Sequence, residues 1–285
     1  MYIGTWGSKA PPASGMEGSK VATAEAPVGI YAARLDERTG RLSSLGLQIP
    51  LQRADSLAID PKLPVLYSVA ASSSDLRADT EVYAFRIDQS SGRLQMLDKV
   101  SSAGRDATTL ALDARSNTLF VGNHGSGDVV ALPIRDDGSL GPMASLARDY
   151  GHGPNFRQRG PQPHGVAVDP SGRYVLVADF GADRVFVYRF NAPTRKLTRA
   201  NPPFISVPGG SAPRHIAFSA LGGWMFLDTE LSAVVKSYRW DSRNGHLHLV
   251  QTVSPYGAPH QAKGPGRGGA WIALSRDGRF LYFSV

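Results

Sequence analysis

The sequence predicts an all-β protein, a β-propeller made of four-stranded antiparallel blades. A strand–turn–strand pattern recurs five times, in copies that begin at residues 57, 110, 166, 216 and 272. A second hairpin, built around a polar turn, follows each of the first four copies. No segment carries apolar residues at helical spacing over the length of a helix. Short strands in a repeat of roughly fifty residues are typical of propeller blades.

The stretch 162–184 is the clearest copy of the repeat. Its tight turn contains Pro170, which fixes φ, and Gly172, which accepts a positive φ. We label the strands of a blade A to D, from the central channel outward. In this fourth blade the predicted strands are Val166–Val168, Tyr174–Ala178, Val185–Phe190 and a weaker one near Phe204–Val207.

The two ends of the chain hold incomplete blades. The strand Tyr2–Thr5 and the hairpin that begins at Ile30 match strands B to D of a blade without its strand A. The last repeat, from Ile272, supplies only strands A and B before Val285. We therefore expect residues 1–285 to form a single open propeller domain of about five to six blades with exposed edge strands.

Loop lengths separate the two faces of the predicted propeller. In an antiparallel meander the A–B and C–D turns share one face, and the B–C and D–A connections share the other. The first kind is always short here, whereas the second kind includes three long irregular stretches, 7–28, 148–163 and 254–269. Long loops on a rigid scaffold are where binding and catalytic sites tend to lie. The sequence therefore predicts the functional site on the face of the long loops.

Polar residues stand at equivalent places on that face. Those just before strand A of blades two to six are Arg53 and Asp55, Arg105 and Asp106, His164, Arg214 and His215, and Arg267. On the B–C loops, fourteen residues after the first four repeat starts, lie Ala71, His124, Phe180 and Glu230. Because these connections converge on the mouth of the central channel, the side chains should form a ring. We expect a basic pocket that holds histidines and a carboxylate and is suited to an anion.

Composition narrows the class of partner. The net charge is +7 and the sequence pI is about 9.7, but the 31 basic residues are scattered. This favours a solvated basic surface or a small anionic substrate, and no nucleic-acid partner is expected. No apolar stretch is long enough to span a membrane and no signal peptide is visible in this chain. We therefore expect a cytoplasmic or periplasmic protein without a membrane partner.

Several classes of chemistry lack support. The absence of cysteine excludes thiolate nucleophiles and thiolate-bound zinc. No nucleotide-binding loop, zinc-protease motif or serine nucleophile elbow is present. We expect neither a cofactor nor a metal.

Motifs in three blades resemble those of the seven-bladed lactonase propellers. They are Gln162-Pro-His-Gly-Val-Ala-Val-Asp-Pro-Ser-Gly-Arg, Asp179-Phe-Gly-Ala-Asp-Arg-Val, Ala212-Pro-Arg-His-Ile-Ala-Phe-Ser and Thr229-Glu-Leu-Ser, with Tyr2-Ile-Gly-Thr and Leu35-Asp-Glu-Arg-Thr-Gly-Arg-Leu near the start. That family includes the propeller-type 6-phosphogluconolactonases and the fungal carboxymuconate lactonizing enzymes. The resemblance covers essentially the whole chain. It implies a site at His164, Arg214, Glu230 and Arg267.

The chain departs from the family pattern in three respects. Trp271 stands where the family usually has a carboxylate, and Thr229 stands where it has an asparagine. The family's ring has seven blades, and its blade one takes strand A from the C-terminus. The repeat spacing predicts that roughly 70–80 residues of such a ring are missing from this chain.

The resemblance implies hydrolysis of an anionic sugar lactone similar to 6-phosphogluconolactone, by a protein that is a monomer when complete. Glu230 or His164 would be the general base for water. Arg214 and Arg267 would stabilise the oxyanion and bind the anionic group. Further substrate contacts are expected from Arg53, Arg105, His124 and His215. Three alternatives stay open: a lactonizing reaction with the same groups in reverse, a non-catalytic propeller that binds a peptide or sugar, and a degenerate or partial gene product.

Overall fold

The computed structural model describes residues 1–5, 28–71, 79–256 and 268–285, without the side chain of Ala71. Every helix or strand in these ranges is a β-strand, and none of the described segments forms a helix suited to crossing a membrane. The strands are β1 (Tyr2–Gly4), β2 (Gly29–Leu35), β3 (Leu42–Pro50), β4 (Ser56–Ile59), β5 (Val65–Ala71), β6 (Asp79–Ile87), β7 (Leu94–Arg105), β8 (Ala107–Asp113), β9 (Thr118–Asn123), β10 (Asp128–Pro133), β11 (Ser145–Arg148), β12 (Pro163–Val168), β13 (Tyr174–Asp179), β14 (Arg184–Asn191), β15 (Lys196–Ser206), β16 (Pro213–Phe218), β17 (Trp224–Thr229), β18 (Val235–Asp241), β19 (His246–Val253), β20 (Trp271–Leu274) and β21 (Leu281–Ser284).

The strands form separate antiparallel sheets in which neighbours in space are neighbours in sequence. Four sheets have four strands each, β4 to β7, β8 to β11, β12 to β15 and β16 to β19. The described parts of the first and last blades contribute β1 to β3 and β20 to β21. The inner strands β4, β8, β12, β16 and β20 contact one another in that order. This arrangement confirms the predicted all-β propeller of four-stranded blades.

The outer strand of blade four differs from its prediction. β15 spans Lys196–Ser206, so it begins eight residues before the predicted Phe204. Its first half is largely exposed, and a register irregularity in its pairing with β14 separates the two halves. An outer strand has a pairing partner on one edge alone, so its apolar alternation is weak and its start is hard to read from sequence.

The hydrophobic core lies between the blades. Val175 and Val177 of β13 pack with Phe120 and Val129 of blade three, and all four side chains are buried. On the other side of blade four, the Tyr174 ring meets the Trp240 ring of blade five edge to face. Because neighbouring blades cover both faces of strand B, the residues of this strand form a continuous apolar run in the sequence. This sandwich of blades fixes the positions of the inner strands and therefore of the residues at their ends.

Candidate functional site

The inner strands of blades two to six border one cavity of about 610 Å³. The residues that line it are Asp55, Ser56, Leu57, Thr108, Thr109, His164, Arg214, His215, Ala270 and Trp271. All of these except Leu57 occupy the last two positions before the repeat starts. Equivalent positions of five blades thus converge on one space, as the sequence predicted. The volume suits a small molecule.

A β-bulge sets the direction of the lining side chains in three successive blades. In β12 the residues on either side of His164 pair with consecutive residues of β13, so His164 is an extra residue in the ladder. The same irregularity occurs at Thr108 in β8 and at Arg214–His215 in β16. A bulge bends the strand and re-aims a side chain, and bulges are common beside active sites. Here it marks the positions that line the cavity.

Gly165 allows the inner strands of blades four and five to approach closely. A Cβ atom at this position would lie 2.3 Å from the Arg214 carbonyl oxygen and 2.8 Å from the His215 Cα. The buried Asp183 carboxylate fixes the entry to β16, because it accepts bonds of 2.7 and 2.8 Å from two backbone N–H groups of the preceding connection. These contacts hold His164 and Arg214 in a fixed relation across the two blades.

Three histidine rings and one indole run around the cavity from blade three to blade six. The ring centroids are 5.8 Å apart for His124 and His164, and 5.2 Å apart for His164 and His215. The Trp271 indole follows at 4.5 Å from His215. In this row His164 lies between His124 and His215, and Trp271, one of the two residues that depart from the family pattern, lies on the cavity wall.

His164 is held as a neutral imidazole. Burial lowers its pKa well below the ordinary value, and the Arg214 guanidinium and the neighbouring histidines lower the pKa further. Its Nδ1 is buried and has no hydrogen-bond partner among the described residues. A neutral imidazole is already in the form that a general base needs at neutral pH. His164 therefore has the chemistry of a general base.

Arg214 is held in place by Glu230. Its Nε donates to Glu230 Oε2 at 3.0 Å, and a second nitrogen of the guanidinium donates to the Ala270 carbonyl oxygen. The other Glu230 oxygen forms an ion pair with the Arg157 guanidinium at 2.8 Å. Both carboxylate oxygens are thus engaged by guanidinium groups, which favours a role for Glu230 in positioning Arg214.

Arg157 was not selected as a site residue from the sequence. It belongs to the long connection 148–163, and its guanidinium lies 4.8 Å from the centroid of the Phe180 ring. The side chain is 47% exposed, so it presents positive charge to solvent beside Glu230. Its place on the longest described loop of the predicted site face is the signal that would have singled it out.

On the blade-two side, Arg53 lies between two carboxylates. Its guanidinium donates to Asp106 and, at 3.3 Å, to Asp55. Asp106 also lies 3.3 Å from the Nδ1 of His124. Burial raises the pKa of Asp106, but hydrogen bonds from His124 and Arg53 outweigh it and hold that pKa below the ordinary value. Asp55 has the longer contact with Arg53, and burial raises its pKa to about 7.

A buried carboxylate also lies behind His215. Its backbone N–H donates to Asp228, and its Nδ1 lies 3.5 Å from the other oxygen of that carboxylate. The Asp228 side chain is fully buried. This pair fixes the orientation of the imidazole between His164 and Trp271.

The structure sorts the described members of the predicted site into three groups. His164, Arg214 and His215 line the cavity. Three others lie behind its wall, in contact with lining residues; these are Glu230, Arg53 and His124. Arg105 is exposed, and its guanidinium donates to the Gly125 carbonyl oxygen without reaching the cavity wall. Arg267 lies outside the described residues, as do most of the predicted loops 7–28 and 254–269. The described residues contain no cluster of three or more potential metal ligands.

Residues 19–285 match the family described as "Lactonase, 7-bladed beta-propeller". A similar protein from Bacillus subtilis, named 6-phosphogluconolactonase, is 30% identical over 256 residues. That match covers 89% of this chain and 70% of the relative.

Solved structures agree with this match. A putative 6-phosphogluconolactonase from Bacteroides fragilis is 28% identical, with a TM-score of 0.81 over 99% of this chain and 73% of its own. The periplasmic gluconolactonase of Pseudomonas aeruginosa is 32% identical, with a TM-score of 0.78 over 89% of this chain and 70% of its own. The repeats, the cavity at the ends of the inner strands and these matches lead to the same conclusion. The chain belongs to the lactonase family of seven-bladed β-propellers.

Proposed function

We propose that this chain hydrolyses a sugar lactone in the cavity bordered by blades two to six, with 6-phosphogluconolactone as the first substrate to test. The observation that carries the proposal is the adjacency of His164 and Arg214 on the cavity wall, each at a bulge of an inner strand. Lactone hydrolysis needs a base for water and a cation for the carbonyl oxygen, and these two side chains supply both.

His164 acts as the general base. The sequence left His164 and Glu230 as alternatives, and the geometry favours the histidine. His164 is neutral and lines the cavity, whereas Glu230 lies behind the wall with both of its oxygens engaged by arginines. A water held by His164 loses a proton to the imidazole as its oxygen attacks the lactone carbonyl carbon. Such a base contributes a factor of about 10²–10⁴ to the rate.

Arg214 stabilises the negative charge that develops on the carbonyl oxygen. Its side chain is 23% exposed, and the bond to Glu230 limits its motion, so the cation is already oriented before the reaction. One preorganised donor of this kind is worth about 10²–10³ in kcat. No covalent intermediate with the protein is required.

Arg157 and Arg214 are the described cations suited to a phosphate or carboxylate on the substrate. Both bond to Glu230, which neutralises part of their charge. This neutralisation favours a second candidate, an unphosphorylated gluconolactone, and the similarity to a periplasmic gluconolactonase points the same way. The reaction and the roles of His164 and Arg214 are the same for both substrates.

Titration of the acid released from each lactone tests the proposal. Both are offered to this chain at neutral pH, and the spontaneous rate is subtracted. Turnover of either lactone supports the proposal, and the ratio of the two kcat/KM values identifies the preferred substrate. Saturable binding of both lactones with no turnover would contradict it in favour of a binding propeller.

A further inference from the structure

The cavity wall holds a second acid–base group, which has no role in the reaction proposed above. Asp55 precedes the inner strand of blade two at the position that His164 occupies in blade four. Both side chains line the same cavity, together with Arg214 and His215. Thr108 and Thr109 of blade three lie on the wall between those two blades.

One oxygen of Asp55 is left without a partner. The side chain is 10% exposed. Oδ2 accepts the 3.3 Å bond from Arg53, whereas Oδ1 is buried and has no hydrogen-bond partner among the described residues. A buried carboxyl oxygen in this situation is stable when it carries a proton and faces a ligand that accepts it.

The surroundings raise the pKa of Asp55 and lower the pKa of Asp106. The two carboxyl groups share Arg53, but Asp106 also has His124 as a partner. Burial is the main cause that raises the pKa of Asp55 to about 7, and the negative charge of Asp106 adds to it against the opposing effects of Arg53 and His124. Here the pKa of Asp55 is raised and the pKa of His164 is lowered. Two groups whose pKa values are shifted in opposite directions are the usual arrangement of a catalytic acid and base.

We propose that Asp55 is the general acid of the site and donates its proton to the ring oxygen that leaves the lactone. This inference rests on the proposed function. His164 takes one proton from water as the new C–O bond forms at the carbonyl carbon. The tetrahedral intermediate collapses, the bond from this carbon to the ring oxygen breaks, and the Asp55 proton converts that oxygen to a hydroxyl. His164 then releases its proton to solvent, and Asp55 regains one from solvent.

The test compares Asp55→Asn with the wild-type protein on two lactones. The asparagine is neutral, like the protonated acid, and its oxygen still accepts from Arg53. On glucono-δ-lactone or its 6-phosphate, whose leaving group is an alkoxide, we expect kcat/KM to fall by about 10²–10³. On dihydrocoumarin, whose phenolate leaves without help, we expect a fall of less than about tenfold. Asp88→Asn, in the C–D turn of the same blade, is the matched control and should match wild type on both.

The pH profile separates an acid from a structural residue. Wild-type kcat/KM on the sugar lactone should decline above about pH 7 as Asp55 loses its proton, and this decline should be absent in Asp55→Asn. Equal losses on both lactones, or a decline that persists in the variant, would overturn the assignment of Asp55. Wild-type protein that turns over neither lactone would instead refute the proposed function itself, and the assignment with it.

Discussion

The Glu230 carboxylate accepts a 3.0 Å hydrogen bond from Arg214 and forms an ion pair with Arg157 at 2.8 Å, so one acidic residue links an inner strand to a long connecting loop. Arg214 lines the cavity, whereas Glu230 lies behind it. The carboxylate therefore orients the cation that lines the cavity. This relationship separates the two residues that the sequence had grouped as catalytic.

We expect Glu230→Gln to reduce activity because Arg214 is less well oriented. The group whose titration sets the acidic limb of the pH–rate profile should stay the same. Gln accepts from one arginine and presents an N–H₂ group to the other, so one charged hydrogen bond is lost. Such a bond is worth about 1.5–3 kcal/mol, which corresponds to a fall in kcat/KM of roughly 10- to 150-fold. The acidic limb of the pH–rate profile should keep its position. A limb that disappears in Glu230→Gln would make the carboxylate the base.

We expect Arg214→Ala to lower kcat by about 10²–10³, because the oriented donor for the carbonyl oxygen is removed. Arg86→Ala is the matched control, since Arg86 is exposed near the C–D turn of blade two, on the opposite face. Steady-state kinetics on the preferred lactone measure both. Equal activity of the two variants would remove Arg214 from the mechanism.

We expect Gly165→Ala to destabilise the fold and the site together. The added methyl group would overlap the backbone of β16, at 2.3 Å from the Arg214 carbonyl oxygen. Overpacking of this kind costs about 1–3 kcal/mol. Gly160→Ala is the control, since a Cβ there meets nothing within 4 Å. Urea denaturation should show a loss for the first variant and little change for the second; equal midpoints would mean that β12 and β16 have room to separate.

A buried carboxyl pair between blades three and four makes stability depend on pH. The buried Asp149 and Asp179 carboxyl groups interact with each other, and Tyr188 donates to Asp149. Burial, with the charge of Asp179 next, raises the pKa of Asp149 well above the ordinary value. The unfolded chain ionises this group near pH 4, whereas the folded protein keeps its proton, so stability falls as the pH rises from about 4 toward the folded pKa.

We therefore expect Asp149→Asn to stabilise the protein at alkaline pH. The amide stays neutral, accepts from Tyr188 and donates to Asp179. The amide removes the cost of keeping this group protonated on folding, so the gain over wild type should reach about 1–3 kcal/mol near pH 8 and shrink near pH 5. Urea midpoints at both pH values measure it. A variant that is less stable than wild type near pH 8 would contradict the account of the pair.

The ring of site residues was predictable because it depends on the repeat. Once the repeat starts were aligned, the side chains before each strand A fell on equivalent positions, and His164, Arg214 and His215 followed. Arg105 also precedes a strand A, but its side chain turns outward to the Gly125 carbonyl oxygen. The direction of this side chain depends on local backbone geometry that the repeat does not encode.

Other features depend on tertiary contacts. Arg157 reaches Glu230 from a loop whose course no local pattern determines. The protonation of Asp55 depends on burial and on a competition with Asp106 for Arg53, which exists only in the folded protein. The start of β15 was missed because a half-exposed outer strand has little periodicity.

The most direct test of the central claim is the rate of lactone hydrolysis by His164→Gln. Gln is close to His in size and polarity but accepts no proton from water. With a lactone that the wild-type protein turns over, the account predicts a fall in kcat of about 10²–10⁴ at neutral pH, with the urea midpoint preserved. Wild-type kcat should stay level down to a pH below the ordinary histidine range, because the pKa of His164 is lowered. A folded His164→Gln protein with wild-type kcat would contradict the claim that this cavity is the lactonase site with His164 as its base.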